Sequence, residues 1–469
     1  MSLLQSIGAL LPGIITGVLI ADLLWEDDAP TALLLKLFVG AGLGLGVNSL
    51  LYFLYMLLFA GKHFFVYVQL AVLLLALWVE LRIRKRHLQI ALPEVRLNVW
   101  QIALLGCTLV MVAFTILGAS EAWVHRPYGT WDAFMIYDRT ARFIYRGQAD
   151  WMQSFSSEID PAFHADYPLL LPLEVAQAWD TLGRESQSVP RVLSGIFMLT
   201  CAGVFVTGLA SLKSAWQALV GLVVFLNTPF FVINGASQTA DVPLCFFILS
   251  TVVLICLYGS QQKSGLLILA GLTAGLAAWT KNEGDLFVVA ILAGMAIAFI
   301  KPDPRRRLGS FAAGLAIPLM IILYFKLFLA PANDILGGGI SGFLQRIFEW
   351  QRHNIILRSF RSQLLAIGGT AVSVIPILGA YALIFGIAPL TRLKSAYWTI
   401  LLMVGIQALG YYSIYLITPH PIRWQLEFSL WRVIFHMYLP LLFLLFVLLT
   451  DVRDALAFRA RMGTAESTA

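Results

Sequence analysis

Residues 242–259 read VPLCFFILSTVVLICLYG, a run without a single charge. As a helix it is about 27 Å long, close to the roughly 30 Å hydrocarbon core of a bilayer. Runs of this kind recur along the whole 469-residue chain, which is 59% hydrophobic and 12% charged. Its mean hydropathy is +0.82, outside the range of soluble domains. Lipid offers backbone amides no partner, and no alternating barrel pattern is visible, so the runs must be helices. The expected fold is an all-α, polytopic transmembrane bundle with a large outer loop containing amphipathic juxtamembrane helices.

About thirteen spans are expected, near 3–24, 31–60, 64–81, 99–118, 192–212, 215–234, 242–259, 265–280, 285–300, 308–330, 364–388, 397–417 and 433–450. If they alternate, the basic groups Arg82, Arg84, Lys85 and Arg86, then Lys301 with Arg305, Arg306 and Arg307, then Arg392 with Lys394, and finally Arg453, Arg459 and Arg461 share one side. Lys213 and Lys263 agree with them. That side is the cytoplasm by the positive-inside rule. The net charge of +6 therefore speaks of orientation, and no nucleic-acid partner is expected. The linker Glu26-Asp27-Asp28 carries no basic residue and is the weak point of the count. The N-terminus shows neither a charged leader nor a small-residue cleavage site and reads as a retained span. Cys107, Cys201, Cys245 and Cys256 lie in apolar runs without ligand-like spacing and read as small buried hydrophobes.

Alternation puts loops 119–191, 235–241, 281–284, 331–363 and 418–432 on the outer face, where most of the structurally unexplained polar residues fall. The spans are nearly clean. Lys36 and Lys326 are the main exceptions, and long Lys stems snorkel. A transporter would place ionisable groups mid-bilayer on broken helices, so surface chemistry is the better expectation.

The first outer loop is the richest. Residues 131–146, WDAFMIYDRTARFIYR, have Phe134, Tyr137, Ala141 and Ile144 on one helical face and Asp132, Arg139, Arg142 and Arg146 on the other, as in a helix resting on the membrane surface. Asp132 is either a helix cap or a catalytic carboxylate. Asp138 and Arg142, four apart, read as a surface ion pair. His164, Asp166 and Tyr167 precede Pro168 and Pro172, which either fix their geometry or simply turn the chain into the next span.

Later loops supply complementary groups. Asp241 and Pro243 open a span, Thr280-Lys281-Asn282-Glu283 closes a turn, and His420, Arg423, Ser429, Arg432 and His436 follow the last outer loop. Lys281, Arg423 and Arg432 form a cation set suited to a phosphate, because guanidinium forks match phosphate oxygens. Asp132, Asp138, Asp166 and Asp241 leave room for a divalent cation, although no pair has ligand-like spacing; no other cofactor is called for. Loop 331–363, with Gly337 to Gly339 and an aromatic, Arg-rich helix from about Phe343 to Arg361, reads as a cover, an interfacial helix or scaffolding.

In order along the chain, Asp132 after a span, Asp166-Tyr167-Pro168-Leu169, Asp241-Val242-Pro243-Leu244 and Gly275 to Lys281 resemble the GT-C superfamily of integral-membrane glycosyltransferases. That group includes protein O-mannosyltransferases and the aminoarabinose transferase of lipid A. The resemblance covers roughly 99–450. It implies three parts: residues 1–98 with three added spans and a basic cytoplasmic loop, a catalytic membrane domain over 99–450 including loop 119–191, and a cytoplasmic tail over 451–469. It further implies a sugar moved from a polyprenyl-phosphate donor to the hydroxyl of a lipid, glycan or protein acceptor. Asp132 would then be the general base, Asp241 a second acid, and Lys281 a contact to the donor phosphate with Arg423 and Arg432. Asp138, His164, Asp166, Tyr167, Glu283 and His420 would line the acceptor side. Several relatives carry an acidic pair in the first loop, whereas Ala133 follows Asp132 here. The implied location is a bacterial inner membrane with the site on its periplasmic face. Other readings of the same residues are a polysaccharide polymerase or ligase using a lipid-diphosphate glycan, and a lipid or solute transporter.

Overall fold

A computed structural model describes residues 2–83, 98–298, 303–333, 345–366, 373–388 and 393–451. Among them the secondary structure is helical: α1 (Ser2–Leu24), α2 (Pro30–Phe59), α3 (Phe65–Ile83), α4 (Val99–His125), α5 (Asp138–Gly147), α6 (Leu170–Leu182), α7 (Ser188–Leu212), α8 (Ala215–Leu226), α9 (Pro229–Ala236), α10 (Asp241–Gln261), α11 (Ser264–Thr280), α12 (Glu283–Ala298), α13 (Pro304–Phe328), α14 (Trp350–Ala366), α15 (Val374–Phe385), α16 (Lys394–Ile417) and α17 (Ile422–Leu448).

Nine of these helices are long and apolar enough to cross a membrane, or ten if the pair α8 and α9, bent by 68°, makes one broken span. Among the described residues this count does not confirm the expected thirteen or so. The runs at 265–280, 285–300 and 364–388 form helices, but their described lengths are only 17, 16 and 12 residues. Part of the third run, the basic residues Arg84 to Arg86, Lys301, Arg392, Gly337 to Gly339 and nearly all of the tail lie outside the described residues.

The bundle has two distinct ends. At one, Ser6 meets Ser188 at 2.7 Å, Arg184 donates to Gln5 at 3.0 Å, and His63 lies 2.5 Å from Asp180. At the other, Gln261 donates to Asp27 at 3.0 Å, Lys263 donates to the Glu26 carbonyl, and Lys213 reaches the Leu449 carbonyl at 3.2 Å. The acidic linker between α1 and α2 thus shares an end with Lys213 and Lys263, as alternating spans require.

Helix α2 lies inside the bundle while α3 and α4 lie at its edge. Close approach of α1 and α2 depends on small residues: a Cβ at Gly17 or at Gly44 would collide with the backbone of the opposite helix, the small-xxx-small solution to packing in lipid. Lys36 is not snorkelling. It is buried, 2.8 Å from Asp22 and over the ring of Trp25. Cys107, on the sparsely covered α4, is exposed, whereas the other three cysteines are buried as expected.

The long excursion after α4 is more than a surface loop. Helix α6 is buried from Leu170 to Trp179, with Glu174 accepting a hydrogen bond from Asn48 of α2 at 2.8 Å. Burial drives the Glu174 carboxyl up to about 8. Residues 131–146 do form helix, but Ile136, Tyr137, Ala141 and Ile144 pack into the protein core. Covering α6 thereby replaces the expected membrane contact.

Candidate active site

Asp132 is brought to Asp241 by a tight local docking. After α4 the chain turns through Gly129, whose φ of 72° suits glycine. A Cβ there would crowd Ala133 and the Ser237 carbonyl. The next amide, Thr130, donates to that same carbonyl at 3.3 Å. The 129–132 segment therefore lies against the turn that leads into α10. From Ala133 to Tyr137 the helix widens into a π-turn, a feature frequent at functional sites. Asp132 makes no capping hydrogen bond, so the cap reading of this residue does not hold.

Its carboxylate instead accepts from Arg432 Nη1 at 2.6 Å. The same guanidinium donates from Nε to Asp241 Oδ2 at 2.9 Å, and its Nη2 lies 2.8 Å from that oxygen. Asp241 is completely buried, and its other oxygen receives Lys281 at 3.0 Å and His436 Nε2 at 3.2 Å. Thr239 adds a hydroxyl donor at 3.1 Å. Lys281 also pairs with Glu283 at 2.8 Å. The result is a connected chain of three carboxylates and two cations with a histidine at its base. Asp241 is encircled, whereas the Asp132 side chain is 27% exposed and that of Arg432 17%. Asp132 and Arg432 at one end of the chain and Glu283, 19% exposed, at the other reach toward the surface, while Asp241 and Lys281 do not.

Sequence reasoning placed Asp132, Asp241, Lys281, Glu283 and Arg432 in one site, and the structure brings all five together. Arg423 stands apart. It is exposed, and its nine-residue separation from Arg432 turns it to the opposite face of α17, about 13 Å further along the axis. His420 packs its ring near Trp424, 6.0 Å between centroids. Lys281, expected at the donor phosphate, is buried between Asp241 and Glu283.

Asp166 belongs to a neighbouring cluster, accepting from Asn282 at 3.0 Å and Asn333 at 2.7 Å. Lys326 donates to its backbone carbonyl at 2.8 Å and to the Asn282 side chain, which explains a lysine that snorkelling does not. His164 adopts a left-handed φ of 46° and stacks on Tyr167 at 4.5 Å, with Nδ1 3.9 Å from Asp166. Burial, then the charge of Glu283, holds the Tyr167 phenol well above its ordinary range.

The expected surface pair Asp138–Arg142 does not form. Asp138 is buried and accepts from Gln187 at 3.0 Å, while Arg142 lies 3.4 Å from Glu185 and against the Trp179 ring. Burial raises the Asp138 carboxyl to about 6. Among the described residues no group of three or more His, Cys, Asp or Glu is arranged to hold a metal ion.

Residues 175–328 match the family model for dolichyl-phosphate-mannose-protein mannosyltransferase. This match to a mannosyltransferase family covers about a third of the chain and contains Asp241, Lys281 and Glu283, but neither Asp132 nor Arg432. It bears out the resemblance read from the sequence and, with the apolar helices, implies a glycosyltransferase embedded in the membrane. No curated protein and no solved structure matches the chain.

Two contributors carried no assigned role in the sequence. His436 is detectable in principle, since it lies four residues after Arg432 and so on the same helical face. Tyr137 is not: it closes the π-turn and is buried near the charge of Asp241, and no pattern in the sequence announces that turn.

Proposed function

We propose that the protein transfers a sugar from a polyprenyl-phosphate donor to an acceptor hydroxyl, with Asp132 as general base. The observation that supports this reading is the junction of Asp132 and Arg432: a partly exposed carboxylate, free of any capping duty, held 2.6 Å from a guanidinium. A donor with its lipid tail in the bilayer would bring its phosphate to the Arg432 side of that junction. The acceptor oxygen attacks the anomeric carbon while Asp132 takes its proton. The bond from that carbon to the phosphate oxygen breaks, and the phosphate leaves with the electron pair beside Arg432, which stabilises the growing charge. One displacement inverts the anomeric centre.

In this scheme Asp241 does not touch the substrate. It holds Arg432 in orientation, with Lys281 and His436 balancing its buried charge. The working end would be the outer one, periplasmic in a bacterial inner membrane, because Lys213, Lys263 and Arg305 to Arg307 gather at the opposite end. The catalytic part would extend over 99–450, with the first three spans an addition that packs through α2 against α6 and α7.

Purified wild type and Asp132→Asn, incubated with a labelled polyprenyl-phosphate sugar and acceptor lipid, glycan or peptide, provide the test. The asparagine variant should be folded and inactive; full transfer by it removes Asp132 from the mechanism.

A further inference from the structure

The turn between α11 and α12 consists of Lys281 and Asn282 alone. Lys281 is extended, with φ of −162° and ψ of 154°, and an extended backbone sends successive side chains to opposite sides. Lys281 takes one side and meets Asp241 and Glu283. Asn282 takes the other. Its Nδ2 donates to Asp166 Oδ2 at 3.0 Å, and its Oδ1 accepts from Lys326. A carboxylate only accepts and an ammonium only donates, so the two partners fix which way the amide lies. Both hydrogen bonds include a charged group and belong to the stronger kind.

The partners come from separate parts of the chain. Asp166 belongs to the excursion that also carries Asp132, and Lys326 lies in the last turn of α13. Lys326 further donates to the Asp166 carbonyl at 2.8 Å, which closes a ring of three residues. Asn333, just beyond α13, adds a second amide donor to Asp166 Oδ2 at 2.7 Å. On the excursion side the ring is seated by His164, whose carbonyl receives the Tyr167 amide at 3.0 Å and whose φ of 46° is left-handed. Strained backbone of that kind persists where the surroundings over-determine it. On the other side the turn presses against its own helix, since a Cβ at Gly284 would collide with the Ala277 carbonyl.

We propose that Asn282 is a positioning residue for the transfer reaction. Through its ring with Asp166 and Lys326 it fixes the Lys281–Glu283 turn, and thereby Asp241 and Arg432, relative to the segment that carries Asp132. The route is made of direct contacts. Asn282 adjoins Lys281, Lys281 donates to Asp241, and Asp241 receives Arg432, which reaches Asp132. The excursion thus grips the charge chain at two places, through Asp166 at the turn and through Asp132 at the guanidinium, and the two grips together set the spacing of base and cation. Asp166 serves the site from behind in this arrangement and does not touch the acceptor. The role rests on the transfer reading above.

The test exchanges the two partners. In the transfer assay at neutral pH, Asn282→Asp sets two carboxylates against each other and should lower kcat by about a hundredfold, the scale of displacing a catalytic group by about 1 Å, with acceptor KM unchanged. Adding Asp166→Asn restores a donor facing an acceptor, in the reverse sense, and should recover most of that loss, because the two residues touch and their effects do not add. Lys326→Met, which removes the cation of the ring, should lower kcat in the same way, and it decides the outcome if Asn282→Asp does not fold. Full activity in Asn282→Asp or Lys326→Met, a loss borne by acceptor KM, or a double variant no better than Asn282→Asp overturns the positioning role. A wild type that transfers no sugar overturns it together with the transfer reading, whereas variants equal to an active wild type overturn it alone.

Discussion

The guanidinium of Arg432 lies 2.6 Å from the carboxylate of Asp132, three hundred residues earlier in the chain. Because Arg432 reaches Asp132 from one nitrogen and Asp241 from two others, lysine is a poor substitute: its ammonium has no planar fork to hold both carboxylates in this geometry. Arg432→Lys should lower transfer by about a hundredfold, the lower end for losing one preorganised donor. In a double-mutant cycle with Asp132→Glu the losses should be strongly non-additive, since the residues touch. Additive losses would show that the contact does not operate during turnover.

Lys281→Met leaves Asp241 buried with one cation fewer. Removing one partner of a buried ion pair typically costs about 3–5 kcal/mol, so thermal unfolding in detergent should shift clearly downward. Combined with Asp241→Asn, the same substitution should cost less, because the fully buried charge is then gone and only the partly exposed Glu283 loses its cation. An unaltered melting temperature for the single variant would contradict the buried pairing.

Asp138 carries its proton longer than an exposed aspartate, rising from 3.8 to about 6. A raised carboxyl favours folding most at low pH, and this contribution is lost as pH climbs from about 4 through 6. Over about two units the total is roughly 3 kcal/mol. Asp138→Asn does not titrate, so its stability relative to wild type should improve across that window and level off above it. A difference independent of pH would place Asp138 in solvent.

Glu174 offers a parallel at higher pH. With its carboxyl at about 8, it is largely protonated at neutrality and acts as a neutral hydrogen-bonding group. Glu174→Gln should be tolerated at pH 7, and its advantage over wild type should grow until about pH 8, as ionisation becomes costly for the native glutamate. Glu174→Leu leaves Asn48 and Gln177 without their shared partner and should lower the melting temperature at every pH.

The helical architecture was legible because lipid permits so little else: a run such as 242–259 has one viable conformation. Span number was less legible, since hydropathy does not report where helices such as α11 or α12 end. The site residues were visible as polar groups at one end of alternating spans. Choosing between Arg423 and Arg432 required only helical phase, and pairing Arg432 with His436 follows from the same rule. The burial of Asp138 and α6 was not legible, because amphipathic residues 131–146 suit a protein partner as well as a headgroup layer. Only the tertiary fold supplies α6 as that partner.

Asp241 draws its donors from its own turn, from the end of α11 and from α17. During synthesis from the N-terminus, the acid is therefore made long before its arginine and histidine exist. Until α17 arrives, Lys281 is its only charged companion among these donors, and the outward carboxylate of Asp132 has no guanidinium to face. The last helix described in the chain thus completes both the charge balance and the working geometry. On the proposed mechanism, assembly and competence would be reached in the same event, so a partly inserted molecule would also be a silent one.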